Sequence, residues 1–201
     1  MKKFSFAITR CLCLPLLALA TGCAHMMDVS VQPAPIGPGE TLPLRVALAP
    51  DKDFDSFKYE FHLMGDTWVY PFGPVLEAYA RRVAETCFLS VEKQATAEAA
   101  FASSSVDLVL TPRAVKAESS RGVMAWDKTR ITLVVEWRAR DRATQNTVWL
   151  ATITAEAEEP GGNAFSHSGH ERVLMQKLFD ELTVKTVEAI RGATELRGKR
   201  P

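Results

Sequence analysis

Two neighbouring stretches decide the fold: WDKTRITLVVEWRARD at residues 126–141 and TVWLATITAEAEE at residues 147–159. In the first stretch, the apolar side chains of Ile131, Leu133 and Val135 recur at every second position. Such alternation is typical of a strand with one buried face. Only the short segment RATQN separates the two stretches, and a connection of that length favours a β-hairpin. The sequence therefore predicts an antiparallel pair of long strands.

The stretch ERVLMQKLFDELTVKTVEAIRG, at residues 171–192, has the strongest helical pattern of the chain. Its apolar residues recur every three or four positions, which places them on one side of a helix. Gly192 ends the pattern, as glycine commonly does at a helix C-terminus. The predicted buried stripe consists of Leu174, Leu178, Leu182 and Ile190, with Met175, Phe179 and Val187 beside it.

The part of the chain before the hairpin alternates between strand and helix patterns. A second main helix is predicted to begin near Gly73 or Pro74, because proline suits the first helical turn. Strands are predicted over residues 42–50, 57–63, 89–93 and 106–118, and a short Ala-rich helix over 95–105. This order predicts one α+β domain at residues 44–192, with an antiparallel or mixed sheet and two main helices packed on one face. Residues 193–201 are predicted to be a polar tail.

The N-terminus has the three parts of a secretory signal. MKKFSFAITR is basic, CLCLPLLALATG is apolar, and small residues precede Cys23. The apolar run is shorter than the ~20 residues that a membrane-spanning helix needs. It also contains Pro15, which disfavours a helix. Residues 1–22 are therefore predicted to be a signal peptide that is removed from the mature chain.

The signal ends in LATGC, at residues 19–23, which resembles the lipobox of bacterial lipoproteins. The resemblance implies cleavage before Cys23 and acylation of that cysteine, for example with palmitate. The next residue is Ala24 rather than an aspartate, and in Gram-negative lipoproteins this implies transport to the periplasmic face of the outer membrane. The alternative is an ordinary secreted protein with an incidental cysteine.

The residues after Cys23 are predicted to be a spacer. Residues 24–43 contain four prolines and two glycines, a composition that favours an extended chain over a helix. Residues 23–43 are therefore predicted to be a lipidated cysteine followed by a Pro-rich tether. At ~3.1 Å per residue, such a tether would hold the domain up to about 60 Å from the membrane.

Composition narrows the classes of function. The chain has 24 Lys and Arg residues and 24 Asp and Glu residues, and loss of the three basic residues of the signal leaves a net charge of about −3. This balance gives no electrostatic footprint for nucleic acid. Of the four cysteines, only Cys87 is left free after processing and acylation, so no intramolecular disulfide is expected. The apolar helical context of Cys87 predicts a buried side chain rather than a nucleophile.

No motif for catalysis or metal binding stands out. His167 and His170 form HSGH in a Gly- and Ser-rich loop, but a structural zinc site needs four ligands, and only Glu171 is nearby. The sequence has neither a P-loop nor a G-x-S-x-G nucleophile elbow. The chain is therefore expected to be non-enzymatic, with no metal or cofactor, and a periplasmic enzyme is the less favoured alternative.

The most distinctive stretch is GDTWVYPFG, which is predicted to be a turn with Trp68, Tyr70 and Phe72 at alternate positions. Two interpretations stay open. The rings cap the core, or they form a binding surface for a partner, since aromatic residues are favoured interface anchors. In the second case, Trp126 and Trp137 would extend the surface.

The whole mature layout is similar to that of small envelope lipoproteins. These include auxiliary lipoproteins of ABC-type lipid transport, the lipopolysaccharide-assembly lipoprotein, and lipoprotein activators of cell-wall synthases. The resemblance implies an accessory protein that binds an envelope protein or a lipid-transport partner. A structural lipoprotein bound to the cell wall is the alternative. Only Cys23 receives a role from the resemblance.

Overall fold

The computed structural model describes residues 24–32, 35–37, 39–63, 65–121, 128–160 and 167–199. These residues form two sheets and four helices. The strands are β1 (Ala24–Met26), β2 (Leu42–Leu48), β3 (Lys58–Leu63), β4 (Asp66–Pro71), β5 (Phe88–Lys93), β6 (Leu108–Arg121), β7 (Lys128–Asp141) and β8 (Thr147–Pro160). The helices are α1 (Gly73–Cys87), α2 (Ala97–Ala102), α3 (His167–Gly192) and α4 (Thr194–Arg197).

Five strands form the main sheet, in the order β5-β2-β6-β7-β8. β2 runs parallel to both β5 and β6, whereas β7 is antiparallel to β6 and β8. The predicted hairpin is confirmed, because β7 pairs with β8 from Lys128 opposite Pro160 to Arg140 opposite Thr147. The sheet is therefore mixed, one of the two forms that the sequence predicted.

The two long helices, α1 and α3, pack against each other and against the main sheet. Leu174, Leu178 and Leu182 of α3 are buried in one core with Ile131 and Val135 of β7. Because alternate residues of a strand point to opposite faces, the predicted alternation supplies one apolar face for both helices. The α+β prediction, with two main helices on one face, is confirmed.

The short helix α2 packs on the opposite face of the main sheet. The second cluster of buried apolar residues lies beneath it: Ala47, Ala49, Ala100, Val106 and Val109. β2 contributes to both clusters, since Val46 and Leu48 belong to the main core. This strand is therefore covered on both faces, as a continuous apolar run predicts.

The core contains one chain of hydrogen bonds between buried side chains. The indole Nε1 of Trp137 donates to the hydroxyl of Tyr79 at 3.0 Å. That hydroxyl lies 2.5 Å from the hydroxyl of Thr186, which in turn donates to the carbonyl of Leu182 at 2.7 Å. Burial raises the pKa of Tyr79, so the phenol stays a neutral donor. The chain joins β7, α1 and α3 with its polar atoms satisfied, as buried polar groups require.

The outer edge of β8 is partly covered by side chains of α3. The ammonium of Lys185 donates to the carbonyl of Thr154 at 2.9 Å. The carboxylate of Glu181 accepts from the amide of Glu156 at 3.2 Å. These contacts occupy backbone groups that an edge strand would otherwise present to another chain.

A second, three-stranded sheet has the order β1-β4-β3, and we call it the small sheet. β3 and β4 form a hairpin around Gly65, whose φ of 90° suits glycine. The prediction of a turn over GDTWVYPFG is wrong, because most of this stretch is β4. The alternation of its apolar side chains prevails over Pro71, which lies at the strand end opposite Lys58, where proline is tolerated.

Helix α1 begins where the sequence predicts, at Gly73 and Pro74. The amide of Gly73 donates to the carbonyl of Phe57 at 2.9 Å. A Cβ atom at this position would collide with the backbone of Asp55. A glycine is therefore required at position 73 for the helix to start so close to the backbone of the loop before β3.

Two predictions at the C-terminal end are wrong. HSGH was predicted to lie in a loop, but all four of its residues are helical, because α3 already begins at His167. The predicted polar tail is partly folded: Ala193 and Leu196 are buried, and Arg197 pairs with Glu40 at 3.1 Å. Leu196 supplies an apolar contact that the polar composition of the tail conceals.

Candidate functional site

The small sheet presents a ladder of aromatic rings on one face. Neighbouring rings stack with nearly parallel planes and centroids 5.7–6.4 Å apart. The ladder consists of Tyr59 and Phe61 of β3, Trp68 and Tyr70 of β4, and Phe57 and Phe72 beside the strands. Strand periodicity places these alternate residues on the same face, and that face packs against the main core.

The structure decides between the two interpretations of the aromatic stretch at two of its three positions. Tyr70 and Phe72 are fully buried, so the proposal that they form an exposed binding surface is wrong. Trp137, which was expected to extend that surface, is also fully buried. Trp126 lies outside the described residues. Tyr70 and Phe72 are buried because β4 pairs with β3, and the face of this hairpin that has the alternate rings packs on the core.

Tyr70 also makes a buried polar contact. Its hydroxyl donates to the Oε2 atom of Glu171 at 2.8 Å, and Glu171 is only 5% exposed. The contact joins β4 to the first turns of α3. The small sheet is therefore attached to the main core by a specific hydrogen bond as well as by ring packing.

Trp68 is only partly buried and has a different neighbour. The ring of His25 in β1 stacks on it, with centroids 4.5 Å apart and an interplanar angle of 24°. The Nε2 atom of His25 also lies 3.5 Å from the Oδ2 atom of Asp66. Trp68 thus holds β1 on the small sheet and is not a free anchor for a partner.

The prediction of an extended Pro-rich tether is wrong for the described part of residues 24–43. β1 pairs in parallel with β4, and the amide of Met27 donates to the carbonyl of Val69 at 2.9 Å. Met27 and Val29 are buried in the main core. Side chains alternate between inward and outward from His25 to Val29, and this alternation could have predicted a strand. The prolines further along the segment favoured the tether prediction instead.

The residues after β1 also lie on the domain. The side-chain amide of Gln176 in α3 donates to the backbone carbonyl of Gln32 at 2.7 Å, and Val31 and Ile36 pack on the core. Val31, Gln32 and Ile36 therefore lie on the domain before β2 enters the main sheet.

A groove of about 440 Å³ lies on the outer face of the small sheet. Its apolar lining includes Met26, Phe57 and Pro74. Met26 is 66% exposed. Lys58 and Glu60 also line the groove and pair with each other at 2.7 Å. The exposed carboxylate of Asp55 lines it too and leaves one net negative charge. We call this surface the Met26 face.

The predicted burial of Cys87 is confirmed. Its side chain is fully buried, and burial raises the pKa of the thiol to about 11. At neutral pH the thiolate, which is the reactive form, is scarce. Cys87 is therefore a small core residue of α1.

The histidines are placed without a metal site. His62 lies 3.1 Å from the hydroxyl of Thr67, and His170 is exposed in the first turn of α3. The side chain of His167 lies outside the described part of the structure. Within the described residues, no three His, Cys, Asp or Glu side chains come together as metal ligands would.

The lipobox, the signal peptide at residues 1–22 and Cys23 itself lie outside the described residues. Ala24 is the first described residue, and its side chain is exposed. Among the helices of the described ranges, none is both long and apolar enough to cross a membrane.

No family model matches the chain, and no curated protein matches it. Three of the solved structures with a similar fold have identities of 12–16%. A DUF330-family protein from Xanthomonas campestris has a TM-score of 0.48 at 16% identity, over 85% of this chain and 98% of that chain. A minor lipoprotein from Acinetobacter baumannii has a TM-score of 0.41 at 12% identity, over 76% and 95%.

A lipoprotein from Neisseria meningitidis has a TM-score of 0.38 at 12% identity, over 75% of this chain and all of that chain. Likenesses at this level describe the general arrangement of helices and strands. They say nothing about an activity or a partner of this chain.

Proposed function

We propose that the chain is a lipoprotein of the bacterial cell envelope, anchored by acyl groups on Cys23 at the periplasmic face of the outer membrane. The observation that carries the proposal is the sequence LATGC at residues 19–23, which follows a basic segment and an apolar run too short to span a bilayer. This arrangement of basic residues, apolar run, small residues and cysteine is what processing and acylation of a lipoprotein require.

The anchor would be stable for a simple energetic reason. Each buried CH₂ of an acyl chain contributes ~0.8 kcal/mol, and stable attachment needs two membrane signals rather than one. A lipoprotein cysteine carries acyl groups on both its sulfur and its amine, which meets that requirement. The anchor then needs no membrane-spanning helix.

The folded domain is proposed to be a non-enzymatic accessory that binds a protein or a lipid-transport component of the envelope. Side chains that could carry chemistry have structural roles: His25 stacks on Trp68, and Cys87 is buried in the core. Tyr70 and Glu171 bond to each other. Each of these contacts stabilises the fold. A domain whose polar side chains serve its own packing is consistent with a binding role.

Metabolic labelling with a fatty acid tests the anchor. The parent protein should incorporate label and fractionate with the outer membrane. Cys23→Ala should lose the label entirely and appear unprocessed or soluble. Cys87→Ala is the matched control, because it removes the other mature cysteine and should leave labelling unchanged. Equal labelling of Cys23→Ala and the parent would contradict the proposal.

Capture from cross-linked envelopes tests the accessory role. Recovery of a defined transporter or synthase component supports it, whereas co-sedimentation with peptidoglycan alone supports a structural cell-wall lipoprotein. Turnover of an envelope substrate by the purified protein would replace the accessory role with an enzymatic one.

A further inference from the structure

The strand β1 fixes the position of the first mature residues against the domain. Its register places Ala24 opposite Thr67 and Met26 opposite Val69 of β4. The stacking of His25 on Trp68 holds the middle of the strand, and the burial of Met27 holds the residue that follows it. The chain is therefore attached to the folded domain from the residue that directly follows Cys23.

Covalent geometry then limits how far the lipid can be from the small sheet. Consecutive Cα atoms are about 3.8 Å apart, so a lipid attached at residue 23 would be tied one Cα–Cα step from Ala24. Met26 lies two residues further along the strand, and at ~3.3 Å per residue it would be within about 10 Å of that attachment point. A lipid on Cys23 would then be joined to the domain without a spacer.

The surface beside this point has the chemistry of a membrane contact. Ala24, Met26 and Phe57 line the apolar groove of the Met26 face, and its Lys58–Glu60 pair is neutral overall. The carboxylate of Asp55 adds one negative charge to the lining. Exposed apolar side chains next to an acyl anchor gain more from the interfacial region of a bilayer than from water. The chain that leads to the lipid also reaches the domain at the rim of this groove.

We propose that the Met26 face rests on the lipid surface to which Cys23 is anchored, so that the domain is held against the membrane in one orientation. This inference rests on the proposed acylation of Cys23. The partner is the bilayer itself. The strand residues of the aromatic ladder, Tyr59, Phe61, Trp68 and Tyr70, lie on the opposite face of the small sheet and pack against the main core.

Depth-dependent fluorescence quenching tests the orientation. The full chain, acylated in bacterial cells, is reconstituted into vesicles of phosphatidylethanolamine and phosphatidylglycerol that carry spin-labelled lipid. A single environment-sensitive fluorophore is attached to Met26→Cys or, as the matched control, to Leu150→Cys. Both native side chains are exposed, and the buried Cys87 does not compete for the label.

The control position lies far from the small sheet along the main sheet. Tyr59 of β3 contacts Ser119 of β6, and the pairing places Ala157 of β8 in that row. Leu150 is seven residues from Ala157, or about 23 Å along the strand at ~3.3 Å per residue.

The fluorophore at position 26 is expected to lose about half or more of its fluorescence, because interfacial contacts reach about 5–10 Å into the bilayer. The fluorophore at position 150 is expected to lose none. Equal quenching at both positions, or none at position 26, would overturn the proposal. If position 26 is protected from the quencher and the protein has the mass of a dimer, the Met26 face contacts a second copy of the chain. That result would also overturn the proposal.

Two further measurements separate the orientation from the anchor. Failure of the protein to float with the vesicles would refute acylation at Cys23, and the orientation with it. Flotation without quenching at position 26 would refute the orientation alone.

A Gly-Ser spacer of about 16 residues after Cys23, with a reach of about 20–24 Å, should lower the quenching at position 26 at least twofold while flotation persists. Undiminished quenching would contradict the inference that the short connection to Cys23 holds this face on the membrane.

Discussion

The main sheet and the small sheet are both built from alternating apolar and polar residues, but they are held in different ways. In the main sheet, β6, β7 and β8 each have 14 residues and pair in chain order. In the small sheet, the three-residue strand β1 pairs with β4, which lies beyond β2 and β3 in the chain. The first is stabilised by local pairing under two helices, and the second by aromatic stacking and a few long-range polar contacts.

This difference separates the scaffold from the part of the molecule that would meet the membrane. The main core has closely packed aliphatic side chains, in which a lost methyl group leaves a cavity. The small sheet has one solvent-exposed face and a groove, so several of its side chains are replaceable without a cavity. Substitutions in the two regions should therefore differ in size and in kind.

The largest effect is expected in the main core. Leu178→Ala should lower the free energy of unfolding by about 2–5 kcal/mol, because Leu178 is fully buried in α3 and its loss leaves a cavity. Val184→Ala on the same helix is the control, since Val184 is 52% exposed and should change stability by no more than about 0.5 kcal/mol. Chemical denaturation measures both. Equal midpoints for the two variants would show that α3 is peripheral to stability.

An intermediate effect is expected where the small sheet joins the main core. Tyr70→Phe removes the 2.8 Å hydrogen bond to the buried Glu171 and should destabilise by about 1–3 kcal/mol. Tyr59→Phe is the comparison variant. The hydroxyl of Tyr59 contacts the hydroxyl of Ser119 and accepts from its amide at 3.0 Å, but Ser119 is less buried than Glu171, so this loss should cost less. Thermal denaturation of both variants gives the comparison. A larger cost at Tyr59 would mean that the carboxylate of Glu171 is well solvated without Tyr70.

The smallest effect is expected at the attachment of β1. A double-mutant cycle of His25→Ala and Trp68→Ala should give a coupling of about 0.5–1.5 kcal/mol, the usual value for a stacked aromatic pair. Pairing the exposed His62→Ala with Trp68→Ala should give additive effects. Hydrogen exchange at the amide of Met27, which bonds to Val69, should speed up in His25→Ala. Additivity of His25 and Trp68 would contradict the attachment of β1 by stacking.

Several elements were predictable because their signals are local. The hairpin of β7 and β8 follows from alternation and a short connection, and α3 from its apolar stripe of Leu174, Leu178 and Leu182. The burial of Cys87 follows from its position within an apolar helical pattern. In each case the residues that form the pattern also form the contact, so no distant partner had to be known.

Other elements depended on partners far along the chain. Prolines made residues 24–43 resemble a tether, yet His25 meets Trp68 and Met27 meets Val69 across the intervening strands. From the sequence, Trp68, Tyr70 and Phe72 were open to both interpretations, core or binding surface, because the neighbouring strand β3 is not apparent from their own segment. An aromatic ring is favourable in either setting, so residue type alone does not assign it.

The sequence by itself determined the α+β class, the two helices on one face and the presence of a candidate anchor at Cys23, because periodicity and motif spacing are properties of adjacent residues. Only the tertiary structure decided which way the aromatic face turns and that the chain is bound to the domain from Ala24 onward. Both outcomes depend on pairing between strands that are far apart in the sequence. Such pairing costs chain entropy, and the contacts that offset this cost form between two segments, so neither segment reveals them alone.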